Sequence, residues 1–264
     1  MTGSISGIAF ADILALEGFP EGTATPVYVS GSAVMPFANP WSDIDVYVVS
    51  DREPLGRLAL DEGTNAVVQH FLDGRRVDFE FWRPATVAGL AERLSGIQLG
   101  EGRHVLRGLF TYTEERFVHR LRVGVALQCP EEVDAWRERF DFRRFGRYQA
   151  QEAIRESDGW YEDVCGMLEA DDLDCAVLAA RTLAGLATDA YLHHLGNTDP
   201  NVKWRPRYLE LFDDGSDLHR EIVETYWRLE LPVGVGPGAD PGARRRYAED
   251  CIALSRRVTA HLQP

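Results

Sequence analysis

Every β-like run in this chain lies before residue 129, and beyond it the apolar pattern turns helical. Four short runs rich in Val, Phe and Tyr occupy 26–30, 44–49, 66–72 and 75–82, the composition of strands. Asp73-Gly74 separates the last two and is a strong hairpin signal. Helical periodicity surrounds these runs at 8–16, 86–94 and 113–127. Pro130, Glu131 and Glu132 then open a helix. Amphipathic stretches follow at 144–169, 173–196, 203–213, 216–229 and 244–262, broken by the Gly/Pro-rich segment 231–242. The pattern predicts an α+β chain of two domains. Residues 1–128 form a small mixed sheet with flanking helices, and 129–264 form a helical bundle.

Charge narrows the function classes. With 42 acidic against 28 basic residues the chain carries −14, a balance that opposes broad binding to nucleic acid and favours cationic partners. No run of about 18 consecutive apolar residues occurs, which argues against a membrane span. The N-terminal stretch lacks a positive leader. Cys129, Cys165, Cys175 and Cys251 are scattered without a CxxC pair, which reads as reduced core thiols in a cytoplasmic protein.

The chemistry concentrates in residues 27–49. A strand runs into Gly31-Ser32, and Ser42-Asp43-Ile44-Asp45 opens the next one. Asp43 and Asp45 are two apart, so on a strand their carboxylates share a face while Ile44, Val46 and Val48 turn to the core. Adjacent carboxylates repel, and a hard divalent cation relieves them; Mg²⁺ is commonly held by one or two carboxylates together with substrate phosphates. Gly31 allows close backbone approach to a ligand, and Ser32 and Ser42 offer hydroxyls. Farther on, Val77-Asp78-Phe79-Glu80-Phe81 sets Asp78 and Glu80 on one face. Either one completes a three-carboxylate cluster, as metal ligand or general base.

Gly-Ser, about ten residues, Ser-Asp-Ile-Asp and then an apolar–acidic–apolar strand resemble the nucleotidyltransferase superfamily related to DNA polymerase β. The helical second half resembles the aminoglycoside adenylyltransferases of the streptomycin/spectinomycin type. The resemblance implies transfer of NMP from an NTP to an acceptor hydroxyl, with Mg²⁺ (two ions) required and pyrophosphate released. It assigns Gly31, Ser32 and Ser42 to the triphosphate, Asp43 and Asp45 to the metal, and Asp78 to the third carboxylate, with Glu80 as the alternative. It also assigns Arg181 and Lys203 of the helical domain to the nucleotide. That domain is expected to close the nucleotide and acceptor cleft. A mid-helix Arg181 on an Ala-rich face needs an anionic partner in any case.

The acceptor stays open at this level. A cationic aminoglycoside suits the acidic chain, and lincosamides, a biosynthetic intermediate or a protein hydroxyl are the alternatives. ATP is the default donor by resemblance, and GTP or another NTP fits the same residues. A nucleotide sensor or toxin-neutralising partner without turnover is a further reading, as is a polymerase acting on RNA ends; the third carboxylate speaks against the former and the acidic charge against the latter. Monomer and homodimer are equally compatible with the sequence. Trp41 reads as a packed side chain, with stacking on a base or acceptor as the alternative.

Overall fold

The structure, a computed structural model, describes residues 3–262 apart from 6, 20–22, 40, 57, 62–64, 100–107 and 237. The chain divides into two compact units. The first comprises Met1–Ile97 and Phe110–Asp141, the second Gln98–Leu109 and Phe142–Pro264.

In the first unit a two-stranded ladder, β1 (Ser4–Ile5) and β2 (Ile8–Ala9), leads into helix α1 (Phe10–Leu16). The main sheet contains β3 (Val27–Ser30), β4 (Ile44–Val49), β5 (Leu58–Asp61), β6 (Asn65–Leu72), β7 (Arg75–Trp82) and β8 (Val125–Gln128). Its order is β5-β6-β7-β4-β3-β8. β4 and β7 are parallel, and the other neighbours are antiparallel. The β6–β7 hairpin turns at Asp73 (φ 51°) and Gly74 (φ 76°), the pair of positive φ values that a two-residue hairpin turn requires. Residues Leu72 and Arg75 pair across it.

Alternation along the strands gives this sheet two different faces. One face buries Ile44, Val46, Val48, Val77, Phe79 and Phe81 with Ile13 and Leu14 of α1 and with Phe19. The other carries the polar residues of β4 and β7 and is covered by α3 (Tyr112–Val123). The α2 helix (Pro84–Gly96) buries Val87, Leu90 and Leu94. On the α3 face Tyr28 stacks on Tyr47 with ring centroids 5.2 Å apart, and Trp82 lies 4.2 Å from Phe117 of α3. The α3 helix starts at a capping box in which the Thr111 hydroxyl accepts from Glu114 N–H and the Glu114 carboxylate accepts from Thr111 N–H.

The helix expected over 113–127 ends four residues early. Gly124 leaves the helical region at ψ 159°, and β8 takes Val125 to Gln128 as an edge strand against β3. A side chain at Gly124 would overlap the Tyr28 ring and stand 2.9 Å from the Arg120 carbonyl, so packing rather than φ selects glycine here. β5, the edge strand opposite, is likewise absent from the sequence reading.

The second unit is helical: α5 (Phe142–Glu169), α6 (Leu173–His194), α7 (Arg205–Leu211), α8 (Asp217–Glu230) and α9 (Pro241–Leu262). α6 is the central element, packed against α5, α8 and α9. By length and composition alone it could cross a membrane, although Asp174, Arg181 and Asp189 interrupt its apolar run and most of the stretch is buried.

The division between the units also lies later than residue 128/129. α4 (Pro130–Arg137) belongs with the sheet, because the Arg137 guanidinium donates to the carbonyls of Leu121 (2.9 Å) and Gly124. Of the four free cysteines only Cys251 is buried, and Cys175 is exposed.

Replacing Gly124 by alanine should destabilise the first unit by about 1–3 kcal/mol, as inserting a methyl into packed space does. Urea unfolding monitored by circular dichroism measures the loss; an unchanged midpoint would show that Tyr28 gives way freely.

Candidate active site

The parallel β4–β7 pairing sets Asp45 beside Asp78 and Tyr47 beside Glu80. Asp43 continues the same face just before β4. Ligand oxygens of Asp43, Asp45 and Asp78 lie within 4.8 Å of one another. β3 pairs antiparallel with β4, Ser30 opposite Asp45, so the turn after β3 lies at the same end of the sheet. That turn is a 3₁₀ helix, Gly31–Val34. Gly31 has φ +81°, and a Cβ there would overlap Asp45 Oδ2. Both facts require glycine: the backbone makes its close approach to the Asp45 carboxylate.

Three guanidiniums hold this acidic face together, and the sequence reading singled out none of them. Arg76 bridges Asp43 and Asp78, with Nε 3.1 Å from Asp78 Oδ2. Arg120 stands 3.7 Å from Asp45 Oδ2, and its carbonyl accepts from the Ser30 hydroxyl. Arg116 pairs with Glu80, which also accepts from the Tyr47 hydroxyl at 3.1 Å. Their signal was periodicity. Arg76, Asp78 and Glu80 are two apart on a strand, and Arg116 and Arg120 are four apart on a helix.

The structure therefore separates the two acids of β7. Asp78 joins Asp43 and Asp45. Glu80, 3% exposed, lies two residues deeper, where Arg116 and Tyr47 engage it, and it is not part of the cluster. Register with β4 makes this choice.

Burial, with Asp43 and Glu80 adding to it, pushes the Asp45 carboxyl up to about 6, while Arg120 pulls the other way. Asp78 is raised by burial and lowered by Arg76, with Asp43 and Glu80 raising it further. Among the described residues, Asp78 Oδ1 and Ser42 Oγ are carboxylate and hydroxyl oxygens buried at this end of the sheet without a hydrogen-bond partner. Hard oxygen donors in a tight group, one of them unsatisfied, fit a hard divalent ion such as Mg²⁺. Ser32 is half-buried in the turn. Trp41 stands 95% exposed beside Ser42 rather than packed.

Arg181 and Lys203 belong to the second unit. Arg181 donates to Glu230 at 2.8 Å and is half-exposed, so the anionic partner that its position demands is a neighbouring helix's carboxylate. Lys203 lies in the turn Val202–Trp204 with Nζ 5.1 Å from the Trp204 ring centroid. A second group of possible ligands, Asp213, Asp214 and His219, is occupied locally. His219 bonds Tyr191 Oη (3.1 Å) and the Leu209 carbonyl (2.9 Å), and the two aspartates accept from Gly215 and Ser216 N–H.

No protein-family model matches the chain, and no curated protein matches it. Among solved structures it is similar to a nucleotidyltransferase-like protein from Exiguobacterium sibiricum. That likeness has 13% identity and a TM-score of 0.47, and spans 95% of this chain and 72% of that one.

Asp45 yields a signed prediction. Its folded carboxyl holds a proton more tightly than the ordinary 3.8, so the stability it confers is present below that value and lost as pH rises through about 6. Once ionised it costs about 3 kcal/mol. Asp45→Asn should therefore be more stable than the parent near pH 7.5, with the gain fading toward pH 4. Thermal midpoints at both pH values check this; a less stable variant at the higher pH contradicts it.

Proposed function

We propose that the first unit carries out divalent-metal-dependent nucleotidyl transfer, moving NMP from an NTP to a hydroxyl of a small-molecule acceptor and releasing pyrophosphate. The observation that carries the reading is the convergence of Asp43, Asp45 and Asp78 with an unpartnered Asp78 oxygen. The Gly31-Ser32 turn and the Ser42 hydroxyl at the same end of the sheet add to it.

Asp43, Asp45 and Asp78 would hold the ion. Mg²⁺ bound there supplies charge neutralisation for the triphosphate and polarises the phosphoryl group under attack. The chain's own residues do the rest. Ser42 Oγ–H donates to a phosphate oxygen, and Ser32 offers a second hydroxyl beside the Gly31 backbone. Asp78, made more basic by burial, would hold the ion through one carboxylate oxygen and accept the proton of the acceptor hydroxyl at the other. The acceptor oxygen forms its bond to the α-phosphorus as the bond to the bridging oxygen of the β-phosphate breaks. Pyrophosphate carries away the electron pair. ATP as donor and a cationic acceptor of the aminoglycoside kind are the specific form of the proposal. The net charge of −14 supports the cation.

Pyrophosphate release with Mg²⁺, each NTP in turn and a panel of aminoglycosides and lincosamides tests it. Release should require one acceptor. Asp78→Asn should lower kcat by about a thousandfold, the order seen when a general base and charge-stabilising group is removed. Glu80→Gln should cost stability, since it leaves Arg116 without its buried counter-charge, yet keep the rate within about tenfold. A folded Glu80→Gln protein as inactive as Asp78→Asn would overturn the assignment of roles.

A further inference from the structure

Arg76 occupies the position of a competitor. It lies two residues before Asp78 on β7, on the same face, and its guanidinium spans Asp43 and Asp78. Those are two of the three carboxylates that converge as possible metal ligands. A guanidinium and a hard divalent ion seek the same oxygens, and the three acids cannot satisfy both in full. Arg76 is also the most exposed of the three guanidiniums: its side chain is 44% exposed, against 35% for Arg116 and 11% for Arg120. Swinging Arg76 outward costs little packing and leaves a bare guanidinium next to the site. That group favours bidentate binding to phosphate.

We propose that Arg76 is a tethered counter-cation of the carboxylate cluster. Without a divalent ion it neutralises Asp43 and Asp78 and keeps the cluster from repelling itself apart. It must leave these acids for the ion to bind, and it pairs again with phosphate oxygens that arrive with the ion. The bare ion therefore binds weakly, and the ion accompanied by a polyphosphate binds well. Because such coupling is reciprocal, the polyphosphate in turn binds well only with the ion. The inference rests on the metal-site reading above.

The test needs no turnover. Binding of Mn²⁺ alone is measured by electron paramagnetic resonance on the whole 264-residue chain, its Arg76→Gln and Arg76→Lys variants, and Asp45→Asn. Removing one cation in contact with the cluster should tighten Mn²⁺ binding about tenfold in Arg76→Gln. Arg76→Lys keeps the charge but loses the fork, and should fall between; it carries the test if Arg76→Gln fails to fold. A second titration uses the preformed complex of Mn²⁺ with tripolyphosphate. The parent should prefer the complex to the bare ion by a larger factor than Arg76→Gln does. Unchanged or weaker Mn²⁺ binding in folded Arg76 variants would overturn the proposal and leave Arg76 a structural ion pair. Equal preference for the complex in parent and variant would overturn the phosphate half. If neither the parent nor folded Arg76→Gln binds Mn²⁺, the metal site itself fails and the inference falls with it, an outcome distinct from the other two.

Discussion

Parallel pairing of β4 with β7 sets Asp45 directly beside Asp78, and the turn into β4 adds Asp43. Two like charges about 4 Å apart near a protein surface repel by about 4 kcal/mol, so this register survives only with compensation. The surroundings are arranged to supply it. Arg76 comes from the same strand as Asp78, and Arg116 and Arg120 come from one face of α3. Among the described residues, these three guanidiniums face four carboxylates, counting Glu80. The face keeps a local excess of negative charge and an unsatisfied Asp78 oxygen.

The same compensation shapes the rest of the unit. α3 must lie across the polar face for its arginines to reach β4 and β7, and Phe117 between them closes the aromatic layer with Tyr47 and Trp82. Gly124 lets the chain leave α3 against the Tyr28 ring and return as β8. Gly31 keeps the β3 turn tight against Asp45. The opposite face is mostly apolar and fills with aliphatic and Phe side chains from α1 and the strands, and its buried Glu17 is paired with His70 of β6 at 2.6 Å. One face of the sheet is thus a hydrophobic core, and the other is a charged platform anchored by a helix.

The helical unit follows different rules. α6 is Ala-rich and central, and its apolar residues pack on α5 and α9. Its polar exceptions are locally paired. Asp189 takes a bidentate contact from Arg205 at 2.6 Å for each bond, with Gly185 beneath the guanidinium. Arg181 is paired to Glu230. These pairs satisfy charges that an apolar helix could not otherwise carry.

Much of this was determined by the sequence on its own, because local patterns encode it. Period-two runs marked β3, β4, β6 and β7, Asp73-Gly74 marked the hairpin, and the helical periodicity beyond residue 129 marked the second half. The spacing of Asp43 and Asp45 put both on one face, opposite Ile44, Val46 and Val48, without any tertiary information. The choice between Asp78 and Glu80 was beyond that reach. Both satisfy the same alternation, and only the pairing partner across β4 decides which one meets Asp45. The edge strands β5 and β8 also escaped, since an edge strand is defined by the neighbour it joins more than by its own pattern. So did Arg76, Arg116 and Arg120, ordinary surface arginines by composition, whose roles exist only because tertiary structure brings several acids to one place and leaves their charge to be met.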